Sequence, residues 1–259
     1  MDKEQFINQK DVLDFVDWIN QFWNKRELFF KTKIEYKNLE EAFNEYHWKK
    51  DESFNQTFEK FKQLNEIIST CLNPNETEKL KKIITEEVLN WGGVKRGNIK
   101  HLNSSDLVER IKNIKTYLKE VDKTGEFPKS NGTKFISTSG FSKIFSAINN
   151  RFVIYDTRVA YAMCLFIKKY CEEKKLGELP DSLKLYHGGG STKADRNPNE
   201  KGSKYQFPCY SGRHYVHFLS LVKTKWILEL LSNKREFKRE DDRIENMWRW
   251  QSALFMVGE

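Results

Sequence analysis

Ser137-Thr138-Ser139-Gly140-Phe141-Ser142-Lys143-Ile144-Phe145-Ser146-Ala147-Ile148-Asn149-Asn150-Arg151-Phe152-Val153-Ile154-Tyr155-Asp156-Thr157-Arg158-Val159 is the most informative run of this 259-residue chain. A small-residue turn, Ser139-Gly140, opens a helix over Ser137–Ile148 that ends near Asn149-Asn150. Phe152-Val153-Ile154-Tyr155 is strand-like, and it delivers Asp156 to the start of the next helix. Asp156 therefore has N-cap geometry, its carboxylate lying among backbone amides that no helical carbonyl satisfies. The residues leave two uses open for it, a plain cap or a carboxylate presented for chemistry. Lys143 is equally open, as a phosphate contact or as an exposed helix residue.

Working outward, the apolar spacing is helical almost everywhere. Val12, Phe15, Val16, Ile19, Phe22 and Trp23 recur at three and four residues within Asp11–Asn24. Further stripes are Phe54, Phe58, Phe61, Leu64, Ile67, Ile68; then Leu80, Ile83, Ile84, Val88; then Leu107, Ile111, Ile114, Leu118, which Ser104-Ser105-Asp106 precede as an N-cap region. Thr157–Lys174, His214–Leu231 and Glu240–Met256 complete the set. Four strand-like residues do not make a sheet, so the expected class is all-α, with 1–259 as one unit. A long polar connector, 187–205, contains Gly188-Gly189-Gly190 and Pro198. Connectors of that length are usually functional or mobile.

Composition excludes several classes. At 38% hydrophobic and 14% aromatic the chain is too apolar for disorder. It has no apolar run of transmembrane length, so no membrane is expected. Met1-Asp2-Lys3-Glu4-Gln5 lacks the basic-then-apolar layout of a signal peptide. Cys71, Cys164, Cys171 and Cys209 lack metal-knuckle spacing, so reduced thiols and a cytoplasmic location are the expectation. His214-x-x-His217 lacks the partners a zinc would need. Gly188–Lys193 has Ser-Thr-Lys where a phosphate loop needs Gly-Lys-Ser/Thr. Neither a metal nor a cofactor is expected. Lys+Arg 45 against Asp+Glu 37, a balance of +8, suits a polyanionic partner. Arg151 and Arg158 beside Asp156, and Lys95 and Arg96 elsewhere, are candidate phosphate contacts.

Asp-Thr-Arg-Val after an apolar tetrad, following a Gly-x-x-Lys turn and helix, resembles the helix-hairpin-helix superfamily of DNA glycosylases. It is most similar to the bacterial 8-oxoguanine-glycosylase-like group. Arg243-Ile244-Glu245, Ala253-Leu254-Phe255-Met256, and Trp91-Gly92-Gly93 followed by Lys95-Arg96-Gly97 are shorter similarities. The resemblance implies two helical lobes around a central cleft, with the hairpin and catalytic segment in 134–174. It implies backbone amides at Thr138, Ser139, Gly140 and Ser142 gripping a phosphate of double-stranded DNA, and a modified base flipped into the cleft of a monomer. Asp156 matches the family's essential carboxylate and Lys143 the lysine that bifunctional members use as nucleophile. Trp91 and Tyr155 adjoin these motifs and are the candidate base-pocket aromatics. Many members read Gly-x-Gly where this chain has Gly140-Phe141-Ser142, and here Lys143 precedes Asp156 by only thirteen positions. A non-catalytic helical DNA-binding protein and a helical protein adaptor are the rival expectations.

Overall fold

A computed structural model describes residues 2–30, 34–49, 52–102, 106–124, 135–188, 196–234 and 239–259. These are mostly helical. In chain order the helices are α1 (Lys3–Ile7), α2 (Lys10–Asn20), α3 (Leu39–Asn44), α4 (Phe54–Thr70), α5 (Thr77–Lys82), α6 (Lys95–Asn98), α7 (Leu107–Thr124), α8 (Ser139–Ile148), α9 (Thr157–Glu173), α10 (His214–Asn233) and α11 (Glu240–Val257). The long helices lie within a few residues of where the apolar period puts them. Among the described residues the only named strands are β1 (His47–Trp48) and β2 (Glu52–Ser53), an antiparallel pair.

Local chemistry explains the helix starts. Ser53 caps α4 in a reciprocal capping box with Gln56. Thr138 caps α8 by accepting from Phe141 N, and Asp156 caps α9 by accepting from Arg158 N and Val159 N. Three acids, Glu240, Asp241 and Asp242, occupy the first turn of α11, where the helix dipole favours them. Of the expected Ser104-Ser105-Asp106 cap region, Ser104 and Ser105 lie outside the described residues. The helix that begins at Thr77 widens into a π-helical stretch, Ile83–Asn90, just before Trp91. Such widenings recur at functional sites.

Packing sorts the helices into two groups. α4, α5, the π-helical stretch, α6, α7 and α8 pack on one another, as do α1, α2, α3, α9, α10 and α11. α1 against α7 and α11 against α4 join the groups, and one continuous apolar core runs through both. The boundary falls between α8 and α9, along the tetrad Phe152–Tyr155. That tetrad is buried and lies in neither helix nor strand, so the strand-like expectation is corrected to an irregular buried segment.

Candidate active site

Lys143 and Asp156 meet at this boundary. Lys143 lies on the first turns of α8 and Asp156 caps α9, so each packing group contributes one charge. Lys143 Nζ is 3.8 Å from Asp156 Oδ2 and donates to Ser139 O at 3.3 Å. Both residues are buried, at 3% and 9% exposure. The two oxygens of Asp156 are divided. Oδ1 accepts from Arg158 N at 3.0 Å and Val159 N at 3.1 Å, which leaves Oδ2 turned toward the amine. Burial pushes Lys143 below the ordinary lysine range; the nearby Asp156 charge opposes this without cancelling it.

Gly92 makes room for the lysine. A Cβ there would collide with Lys143 Cδ and stand 2.8 Å from Cε. The Trp91-Gly92-Gly93 turn and the Lys143 helix are therefore one packing unit, and Gly93 turns with φ +67°. On the other side Gly188 lies against Thr157 Cγ2, and a Cβ there would be 2.6 Å from Tyr210 Oη. Tyr210 Oη contacts Ser139 Oγ at 3.1 Å, and its ring meets His217 edge-on at 4.6 Å. Burial and the Asp156 charge raise the Tyr210 phenol well above its usual range.

An aromatic wall stands beside the pair. Trp48 on β1 packs against Trp91 at 5.0 Å and Phe255 at 5.4 Å, and Phe255 meets Tyr46 at 6.0 Å. Trp91 Nε1 donates to Glu52 Oε2 at 2.8 Å, while Trp48 Nε1 donates to Trp91 O at 3.1 Å. Trp48 is half-buried, whereas Trp91 is buried. Tyr155 is wholly buried, its hydroxyl donating to Tyr186 O at 2.8 Å. Tyr155 is thus a core residue, not a stacking surface. Trp48 was missing from the sequence reading because a two-residue strand leaves no periodic signal.

The expected DNA contacts are dispersed. Ser142 is wholly buried and shares its hydroxyl hydrogen between Ser139 O and Tyr155 O. Gly140 is buried, and a Cβ there would strike the Asn98 amide. Neither presents itself to a phosphate. Thr138 Oγ1 donates to Asn98 Oδ1 at 2.8 Å. Arg151 pairs with Asp122 at 3.3 Å and with Glu240. Arg158 pairs with Glu259 at 2.9 Å and lies over the Phe255 ring. Lys95 pairs with Glu86 at 2.6 Å. Arg96 is exposed on α6. The expected hairpin residues Gly140-Phe141-Ser142 lie within the first turns of α8, and of the expected 134–174 segment only residue 134 is outside the described residues. Residues 189–195 of the polar connector are also outside them.

Both histidines of the His-x-x-His pair bond to protein groups. His214 Nδ1 contacts Ser137 O at 2.9 Å, and His217 bonds through both ring nitrogens, to Ser137 Oγ at 2.7 Å and Tyr155 O at 3.1 Å. No group of three potential metal-ligating side chains occurs among the described residues. Nor is any helix among them long and apolar enough to cross a membrane. No protein-family model, curated protein or solved structure matches the chain.

Proposed function

We propose that this chain is a DNA glycosylase that flips a modified base out of double-stranded DNA and cleaves its N-glycosidic bond, leaving an abasic site. The observation that carries the reading is the buried pair of an amine and a carboxyl group, Lys143 and Asp156, 3.8 Å apart where the two helical groups meet. In this reading those groups are two lobes, and the base enters a cleft between them. Loss of the base develops oxocarbenium charge on the sugar. The Asp156 oxygen not used by the cap faces that charge. At an effective dielectric near 20, opposite charges about 4 Å apart attract by roughly 4 kcal/mol, or about three orders of magnitude in rate.

Lys143 supports a second branch. Its neutral amine attacks C1′ as the bond to the base breaks. The bonding pair leaves with the base, the amine's own proton passes by way of Asp156 to that base, and opening of the sugar ring then gives the imine that borohydride reduces. Burial favours the neutral amine this step needs. The Asp156 route alone gives a monofunctional enzyme. Trp48, the half-buried member of the aromatic wall, is the platform on which an extruded base would stack. The resemblance to the 8-oxoguanine group points to an oxidised purine. A hypermodified phage base is the other substrate class, and would make the protein a cytoplasmic antiviral enzyme and not a repair enzyme.

An abasic-site assay over a panel of modified duplexes and phage DNAs tests this. Wild type is expected to cleave at least one, and Asp156→Asn to lower that rate by about three orders of magnitude. Unchanged abasic-site formation by Asp156→Asn rejects the mechanism. Borohydride traps a DNA–protein adduct only if Lys143 attacks, and that adduct must vanish in Lys143→Ala. DNA retention that falls steeply with salt, with no abasic product on any duplex, would instead identify a non-catalytic DNA-binding protein.

A further inference from the structure

The buried tetrad before Asp156 raises a question of hydrogen-bond accounting. Buried backbone groups need partners, and no strand supplies them here. Side chains from three helices do so. Gln251 Oε1 of α11 accepts from Ile154 N at 2.8 Å. His217 Nε2 of α10 donates to Tyr155 O at 3.1 Å. Ser142 Oγ of α8 lies 3.3 Å from the same carbonyl and shares its one hydrogen between that carbonyl and Ser139 O. All three are at least as buried as Lys143.

The Tyr155 carbonyl belongs to the peptide plane that contains the Asp156 nitrogen. Holding that plane sets the direction in which the Asp156 side chain leaves the backbone. Ser142 Oγ also donates to Ser139 O at 2.9 Å, the carbonyl that receives Lys143 Nζ. His217 Nδ1 faces Ser137 Oγ at 2.7 Å, just before α8. One buried network therefore reaches both members of the ion pair.

We propose that His217, with Ser142 and Gln251, is a positioning residue that sets the register of Asp156 against Lys143 through the Tyr155 peptide. The catalytic consequence rests on the glycosylase reading; the geometry does not. His217 acts as a neutral ring whose Nε2 carries the hydrogen, because only that tautomer can donate to a carbonyl. Burial supports this by pushing the imidazole down to about 3.

Two substitutions separate positioning from packing. His217→Gln keeps an amide donor near the place of Nε2, whereas His217→Asn keeps polar atoms only near the place of Nδ1. The first measurement needs no substrate: the backbone amide resonances and exchange rates of Arg158 and Val159, which the Asp156 carboxylate caps. His217→Gln is expected to keep them near wild type and His217→Asn to shift them and speed their exchange. Ser142→Ala, which removes one hydroxyl and almost no volume, is expected to shift the same amides should His217→Asn fail to fold. Equal behaviour of the two His217 variants, or unmoved amides in Ser142→Ala, overturns the proposal.

The second measurement is single-turnover excision on the duplex that wild type cleaves. A displaced reacting group costs about 10²-fold, so His217→Asn is expected to lose that much rate with little change in KM, and His217→Gln to restore most of it. The expected amide pattern with no duplex cleaved by wild type supports the positioning network and rejects the glycosylase. Cleavage by wild type with unmoved amides does the reverse.

Discussion

Lys225 and Lys143 are both buried lysines facing a carboxylate, but their surroundings differ. Lys225, on α10, has no exposed surface, and its amine bonds Asp122 and, at 2.6 Å, Glu229. Asp122 also faces Arg151 at 3.3 Å and Lys3 at 3.7 Å, and Lys3 reaches Glu229 at 3.0 Å. Burial alone would raise the Asp122 carboxyl, but Lys225, Lys3 and Arg151 outweigh it and hold it below its usual range. Lys143 has one carbonyl at 3.3 Å and one carboxylate at 3.8 Å, too far for a good hydrogen bond. There burial prevails and the lysine is pulled toward its neutral form. The first cluster balances each charge against several partners and ties together α1, α7, α10 and the turn after α8. The second is under-coordinated, the condition in which a buried ionisable group is available for chemistry.

Breaking the multiply paired Lys225 cluster is expected to have the largest effect on stability. Lys225→Met leaves Asp122 and Glu229 short of their closest cation. Removing one partner of a buried ion pair costs about 3–5 kcal/mol. Urea unfolding of Lys225→Met is therefore expected to show a loss of that order. A loss below about 1 kcal/mol, the worth of an exposed pair, would break the comparison.

The sequence carried little of this contrast. Helices such as α4, α9 and α11 were legible because a long amphipathic stripe repeats its own signal. Asp156 was legible as a cap because a cap is a local event, whereas Lys143 was singled out by the family resemblance, and its burial differs from the exposed helix residue that its sequence allowed. Helices α1 and α3, with five and six residues, are too short for a period. The β1–β2 pair that holds Trp48 against Trp91 has the same problem. Gly92 against Lys143, Gln251 against Ile154 and Lys225 against Asp122 join positions far apart in sequence, so nothing local records them. Arg151 looked like a phosphate contact because it lies with Arg158 close to Asp156 in sequence. Its neighbours in space are Asp122 and Glu240.

Gly92→Ala gives the intermediate effect. The added methyl would collide with Lys143 Cδ, and the buried lysine must yield because Val88 O closes the other side at 3.1 Å. Overpacking of this kind costs about 1–3 kcal/mol, and it should push the amine away from Asp156. Both stability and excision rate are expected to fall. Adding Lys143→Ala provides the space and should recover most of the stability. Strictly additive losses in this double-mutant cycle would show that the cost of Gly92→Ala comes from the Val88 carbonyl and not from the lysine.

Lys143→Met is expected to have the smallest effect on stability, despite removing a buried charge. Methionine has a similar length, and the amine it replaces faces a single carboxylate at 3.8 Å, so less pairing is lost than at Lys225. Asp156 keeps both amide donors on Oδ1, so the remaining carboxylate is not stranded. A pH comparison isolates the lysine. Its folded value lies below the unfolded 10.5, so its share of stability is complete above 10.5 and is lost as pH falls through the depressed folded value. Raising the pH from about 7 to about 10 should therefore stabilise wild type relative to Lys143→Met. Parallel urea-unfolding curves at the two pH values would mean that Lys143 is as well compensated as Lys225, and would remove the basis for treating it as the reactive amine.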